Sequence, residues 1–138
     1  MTTSSPAAAS TPTTSTHWSV WLGRVLSGLI VAALAFSAVA KLGHSPEVVQ
    51  GFERFGYPAS VIFTIGVVEI LCALLYAVPQ TAVLGAILVT GYLGGATATH
   101  VRISDAFIAP VIMGVVAWAG LFLRDARLRA LLPLRRLS

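Results

Sequence analysis

The chain has 138 residues, of which 57% are hydrophobic and only 10% are charged, and its mean hydropathy is +0.87. Soluble domains are usually about half apolar and about a quarter charged, so this composition argues against a soluble domain and indicates a single-domain membrane protein. The net charge of +4 comes without a nucleic-acid-binding motif. We therefore attribute it to membrane topology and to contact with anionic lipid, not to a nucleic-acid partner.

Residues 1–17, "MTTSSPAAASTPTTSTH", come first in the chain and contain no Lys, Arg, Asp or Glu. Ser, Thr, Ala and Pro give such a segment little to bury, so we predict a disordered tail. A cleaved secretory signal is the alternative, since Ala38, Val39 and Ala40 form an A-x-A site after an apolar stretch. The tail is preferred because the basic segment of a signal is missing and the stretch is long enough to span a bilayer.

Four apolar runs follow, and each is close to the roughly 20 residues that cross a bilayer as a helix. They lack the alternation of transmembrane strands and the polar faces of helices in a soluble core. We therefore predict an all-α fold, an integral membrane four-helix bundle, within residues 18–125. The four runs cover residues 20–40, 59–78, 82–98 and 106–123.

The loop between the first two runs, "LGHSPEVVQGFERFGYP", predicts a short amphipathic helix at the membrane interface. Ser45 suits the N-cap, Pro46 suits the first helical position, and Gly56 can end the helix. Val48 and Phe52 fall on one face, opposite charged and amide side chains. Such a helix would seal one end of the bundle, and a gate for an apolar ligand is a second interpretation.

Cations near the ends of the runs predict the orientation in the membrane. Six of the nine Lys and Arg residues lie on the side that holds both termini, and three lie on the other side. By the positive-inside rule both termini are cytoplasmic, so residues 126–138 form a basic cytoplasmic tail. The very short turn between the second and third runs makes them an antiparallel hairpin.

Small residues and one proline predict how the helices pack. Gly91 and Gly95 in the third run, and Gly28 in the first, have the spacing of close helix contacts. Pro110 in the fourth run predicts a kink that frees a backbone carbonyl.

One acid, Glu69, lies in the middle of the second run, within "FTIGVVEILCALLY". From Pro58 to Glu69 is about 16 Å of helix, which places the carboxyl group near the middle of a hydrocarbon core roughly 30 Å thick. An ionised acid facing lipid there costs on the order of 3 kcal/mol. We therefore expect Glu69 to face the bundle and to be either neutral or paired.

Partners for Glu69 can be ranked by their depth along the helices. Tyr92 falls near the level of Glu69, and Tyr76 lies on the same helix face at i+7. Lys41 and His100 fall at the outer helix ends, too far for direct contact unless water reaches inward. Two interpretations stay open: a structural acid bonded to a tyrosine or a free carbonyl, and a proton-handling acid in a cavity that opens toward His100 and Lys41.

The candidate site residues form two groups. Those that can exchange a proton are the catalytic candidates: Glu69, His100 and Lys41. Those with hydroxyl or guanidinium donors near that level or at the outer mouth are the ligand-binding candidates: Tyr92, Tyr76, Thr99 and Arg102. No metal site, haem or thiol relay is predicted, because the three histidines lack ligand spacing and Cys72 is single.

Several sequence elements together carry a family resemblance. They are Arg24 at the start of the first run, "AKLGHSP" at its end, "FERFGYP" before the second, Glu69 within it, "VPQTAVLGA" at the hairpin, "GYLGGATATH" in the third, and Pro110. Over residues 22–134 the chain resembles the DoxX-like family of small four-helix bacterial membrane proteins. The resemblance implies a location in the bacterial inner membrane, with Lys41, Glu69 and His100 at the matching polar positions.

The resemblance to the DoxX-like family also implies a function, which we state as an expectation. The family takes its name from members associated with membrane redox complexes, including thiosulfate:quinone oxidoreductases, which implies an accessory subunit that binds a quinone or a membrane or periplasmic oxidoreductase. The sequence has no flavin, haem or iron–sulfur motif, so electron transfer would need that partner or a bound quinone. A likeness in size and span count to membrane sterol isomerases implies the alternative. That alternative is a membrane-embedded isomerase, hydrolase or cyclase acting on an apolar substrate, with Glu69 as proton donor or acceptor.

Overall fold

A computed structural model describes residues 15–131, and every regular element in that range is a helix. The helices are α1 (Ser15–Leu42), α2 (Pro46–Arg54), α3 (Ser60–Ala77), α4 (Ala82–Arg102), α5 (Ile108–Arg124) and α6 (Ala126–Leu131). The predicted disordered tail lies outside the described residues except for the first turn of α1. The predicted basic tail contains α6 and otherwise lies outside them as well.

The four long helices match the four predicted spans. α1, α3 and α4 are long and apolar enough to cross a membrane, and α5 is a shorter apolar helix of 17 residues. The prediction of an all-α membrane bundle is therefore confirmed. The predicted kink is wrong, because α5 begins at Ile108 and places Pro110 in its first turn, where a missing N–H breaks no helical hydrogen bond.

The spans form a closed ring in which α1 and α4 lie diagonally opposite and each packs against α3 and α5. The outward faces of the ring carry large apolar side chains, such as Phe36 and Val115. Trp18 and Trp21 at the start of α1 are also exposed, and their rings stack with centroids 5.6 Å apart. Apolar surface of this extent requires lipid around it, with the tryptophans at an interface.

The two ends of the ring differ. The α2 end carries α2 and residues 103–107, and the terminal end carries the start of α1, residues 78–81 and α6. The predicted amphipathic helix is confirmed as α2, which begins at Pro46 and is followed by Gly56 in a left-handed conformation with φ 77°. A side chain would be strained at that φ, so glycine allows the chain to turn back into α3.

Close helix contacts use glycines other than the predicted ones. A Cβ at Gly28, Gly91 or Gly95 would meet no heavy atom within 4 Å, so the predicted close contacts at these three positions are wrong. At Gly85 of α4, by contrast, a Cβ would fall within 3.0 Å of the backbone of Tyr76 in α3. The hairpin of α3 and α4 therefore depends on Gly85.

Gly85→Ala is expected to destabilise the bundle by about 1–3 kcal/mol or more. The added methyl group would collide with backbone atoms of Tyr76, which cannot rotate away as a side-chain end can. Thermal unfolding in detergent measures the loss, and Gly28→Ala is the control because open space surrounds it. Equal unfolding temperatures for the two variants would contradict the close approach of α3 and α4.

Candidate functional site

A cavity of about 680 Å³ lies inside the ring at the α2 end. Its wall includes residues of α4 from Gly91 to His100, a length of about 14 Å along the helix. The cavity therefore extends from the end of α4 to the middle of the bundle. Its volume falls within the roughly 300–1,000 Å³ of small-molecule sites.

Most of the cavity wall is apolar. All four spans contribute to it, and Val48 and Phe52 from one face of α2 cover it. The large apolar side chains from the spans are Leu34, Ile65, Leu93 and Met113. The lining residues most exposed on the spans are all small: Ala33, Gly91, Gly95 and Ala109. Because these side chains are small, they leave the volume of the cavity unfilled. They also leave the cavity open to the outside of the bundle.

An ion pair lies in the cavity wall. Lys41 Nζ of α1 is 2.7 Å from Glu69 Oε2 of α3, and their side chains are 12% and 3% exposed. Lys41 Nζ also donates a hydrogen bond to Ser37 Oγ, one turn earlier in α1, at 2.5 Å. Glu69 therefore faces the bundle and is paired, as its depth required, and its partner is a cation.

The prediction that Lys41 lies too far from Glu69 for direct contact is wrong. α1 and α3 are staggered along their axes. The contact that shows this is between Lys41, near the end of α1, and Gly66 of α3, where a Cβ would lie 3.0 Å from the Cβ of Lys41. The end of α1 is thus level with a point six residues inside α3, about 9 Å along that helix, and Glu69 is only one turn deeper. The long lysine stem covers that turn. The predicted separation would hold only if the ends of α1 and α3 lay at one level in the membrane.

Two further candidates share the cavity with the ion pair. The Tyr92 side chain lies beside Glu69 and interacts with its carboxylate, in agreement with the predicted depth. His100 lines the outer part of the cavity, and its Nδ1 is 2.8 Å from the carbonyl oxygen of Ala96. A carbonyl only accepts hydrogen bonds, so Nδ1 carries a proton. In the neutral ring Nε2 is then an acceptor.

The segment after α2 is tied to the end of α4. The hydroxyl groups of Tyr57 and Thr99 are 3.2 Å apart, and both residues line the cavity. Phe55 packs against the ring of His100 with centroids 4.8 Å apart. Arg102 lies outside the lining: its guanidinium donates to the carbonyl of Phe55 and lies over the ring of Tyr57. The structure thus places Thr99 in the cavity wall. Arg102 lies outside the wall and holds the segment after α2 against the end of α4.

A family model described as the DoxX-like family matches residues 25–120. The chain belongs to the DoxX-like family. The matched range runs from α1 into α5 and includes Lys41, Glu69 and His100. No curated protein and no solved structure matches the chain.

Sequence reasoning about this DoxX-like protein missed several cavity residues. Ser37 is one turn from Lys41, a spacing that could have marked it as a hydrogen-bond partner. Gly91 and Gly95, whose spacing predicts a helix contact, instead both line the cavity. Within residues 15–131, no three His, Cys, Asp or Glu side chains come together as metal ligands.

Tyr76 lies apart from the cavity of the DoxX-like bundle, toward the terminal end. Its ring is fully buried, and its hydroxyl donates to the carbonyl of Ala117 at 2.6 Å. Ser27 Oγ of α1 is 3.0 Å from the same hydroxyl. Tyr76 therefore links α1, α3 and α5, and its position indicates a structural role instead of ligand binding.

Tyr76→Phe is expected to lower stability by about 1–3 kcal/mol, because it leaves buried polar atoms of Ser27 and Ala117 without their shared partner. Tyr92→Phe is the matched variant, since Tyr92 lines the cavity instead. We expect Tyr76→Phe to reduce the unfolding temperature more than Tyr92→Phe does. The reverse pattern would contradict the assignment of the two tyrosines.

Proposed function

We propose that this DoxX-like protein binds a lipid-soluble small molecule with carbonyl groups, such as a quinone, and acts as an accessory subunit of a membrane oxidoreductase. The observation that carries the proposal is the Lys41–Glu69 pair in the wall of an apolar, accessible cavity. Apolar pockets with a few placed polar groups are the usual form of small-molecule sites.

Stability alone does not account for the ion pair. Replacing a buried ion pair by packed apolar residues is often neutral or stabilising, because desolvation offsets the attraction. Ionisable groups inside a membrane usually mark a ligand or proton pathway. Lys41 and Glu69 both line the cavity, which supports a role toward a ligand.

The polar groups of the cavity suit a molecule with carbonyl oxygens. The Lys41 ammonium has three protons, and Ser37 and Glu69 each accept one. The third remains for a ligand oxygen, whereas the single proton of the Tyr92 hydroxyl is directed to the Glu69 carboxylate. When the His100 ring carries a proton on Nδ1 alone, its Nε2 is an acceptor that would suit a hydroxyl group of a reduced quinone. Phe52 and other aromatic side chains at the α2 end provide flat apolar surface for a ring.

The proposed setting is the bacterial inner membrane with both termini in the cytoplasm, supported by the distribution of Lys and Arg. The α2 end and the cavity opening then face the periplasmic side, where a partner oxidoreductase would dock. The ligand itself would enter from the lipid phase, since the spans are surrounded by apolar surface.

Purification in mild detergent followed by solvent extraction tests the proposal. We expect the wild-type extract to contain quinone in a roughly equimolar amount, detected by mass spectrometry and by the change in absorbance on chemical reduction. The double variant Lys41→Gln/Glu69→Gln should retain much less, because its amides hold no charge at the cavity wall. Absence of both quinone and a co-purifying redox protein from the wild-type preparation would count against the proposal.

The enzyme alternative is favoured by one observation: Glu69, Lys41 and His100 all face a single cavity. Such a set can donate a proton at one point of an apolar substrate and accept one at another. The Glu69→Gln variant distinguishes an enzyme from a binding subunit. An enzyme would accumulate unreacted substrate in this variant, so its bound compound would differ from that of the wild type. A binding subunit would yield the same compound from both proteins.

A further inference from the structure

A second pocket, of about 390 Å³, lies at the terminal end, where α1, α4, α5 and α6 meet. Arg24, Arg124 and Arg127 line it, and Asp125 is the acid in the lining. Three arginines against one aspartate leave an excess of positive charge. The pocket therefore has the charge of an anion site, and it is separate from the cavity that holds Glu69.

The guanidinium of Arg124 is fixed by contacts with Tyr76, but it still has an N–H donor without a hydrogen-bond partner in the described part of the chain. Its Nη2 donates to the carbonyl of Tyr76 at 3.0 Å, and its guanidinium lies 5.2 Å over the ring of Tyr76. Its Nε is buried and has no partner within the described part of the chain. A guanidinium has five N–H donors in a planar fork, which matches the oxygens of a phosphate group.

The charges of Arg24 and Arg127 are not compensated by the protein. Both residues are exposed, and neither forms an ion pair among residues 15–131. Asp125 forms no ion pair with either of them within the described residues, and its Oδ1 instead accepts hydrogen bonds from the backbone N–H groups of Arg127 and Leu128 at 2.8 and 3.3 Å. Two free cations thus face the pocket beside the fixed guanidinium of Arg124.

The depth of the pocket points to the source of the anion. Arg24 follows the interfacial Trp21 by three residues, about 4.5 Å along α1, so the pocket lies close to the level of lipid headgroups. Basic pockets between spans at this level bind anionic headgroups. We propose that Arg24, Arg124 and Arg127 bind a phosphate group, supplied by the headgroup of a membrane lipid.

Titration of the full-length protein with phosphatidylglycerol, followed by native mass spectrometry, tests this assignment. Arg24→Gln/Arg127→Gln should weaken binding about thirtyfold, since each basic residue near an anionic surface contributes about 1 kcal/mol. Arg127→Gln alone should weaken it about fivefold by the same value. Arg54→Gln, at the α2 end, is the control and should bind like the wild type. Unchanged binding by the double variant, with an unchanged unfolding temperature, would overturn the proposal.

Inorganic phosphate distinguishes the two sources of the group. A lipid ligand should stay bound when inorganic phosphate is added in excess over the lipid. Displacement of the lipid by inorganic phosphate, lost in Arg24→Gln/Arg127→Gln, would support the phosphate site and assign it to a soluble ligand. Failure of the quinone experiment would leave this test intact, because the two pockets share no residue.

Discussion

Lys41→Gln is expected to lower the free energy of unfolding by about 3–5 kcal/mol, the usual loss when one member of a buried ion pair is removed. The variant leaves the Glu69 carboxylate, 3% exposed, without the cation that contacts it. The remaining charge must then be buried unpaired or take up a proton. Reversible unfolding in mixed detergent measures the difference.

A double-mutant cycle separates the loss of the pair from the loss of a side chain. Glu69→Gln should also destabilise, and Lys41→Gln/Glu69→Gln should lose clearly less than the sum of the single losses. Arg54→Gln is a matched control, because Arg54 and Asp105 form an exposed pair at 3.7 Å and such pairs contribute about 1 kcal/mol or less. Additive losses at Lys41 and Glu69 would contradict a direct interaction.

The proposed function predicts that Gly95→Leu abolishes recovery of the proposed ligand while leaving the bundle folded. Gly95 lines the cavity, and a Cβ there would meet no heavy atom within 4 Å, so the leucine side chain can occupy ligand space without displacing the protein backbone. Burial stabilises the conformation in which the leucine side chain fills the cavity by about 1.5–3 kcal/mol relative to one in which it is exposed. Extraction and mass spectrometry of the purified variant check the result.

Gly94→Leu is the control for this change. Gly94 is the neighbouring residue, is equally free of contacts, and lies outside the cavity lining. Its leucine should point into lipid and leave the bound compound unchanged. If both variants lost the ligand equally, a general effect on α4 would explain the loss, and the cavity would not be the binding site.

The sequence predicted much of the fold because hydropathy reports lipid contact directly. Four apolar runs gave the four spans, and Pro46 and Gly56 marked the bounds of α2. The inward orientation of Glu69 was also predictable, since an exposed acid at that depth is too costly. Each of these features follows from the sequence of a single helix.

Features that depend on two helices were not predictable in the same way. The contact between Lys41 and Glu69 requires the axial stagger of α1 and α3, which hydropathy does not encode. Tyr76 and Arg102 have side chains suited to ligand binding, and only the rotation of their helices directs them to a backbone carbonyl instead. Gly95 and Gly85 look alike in the sequence, yet one opens a cavity and the other closes a helix contact.

The stagger of α1 and α3 makes residues 43–59 part of the site, although they supply neither member of the ion pair. This connection joins the end of α1 to the start of α3 and so constrains the height at which Lys41 meets α3. One residue of axial slide moves Nζ by about 1.5 Å relative to Glu69. A change in the length of the connection would therefore alter the chemistry of the cavity while every charged residue in its wall stayed the same. Related chains with identical ionisable residues but different connections need not share a ligand.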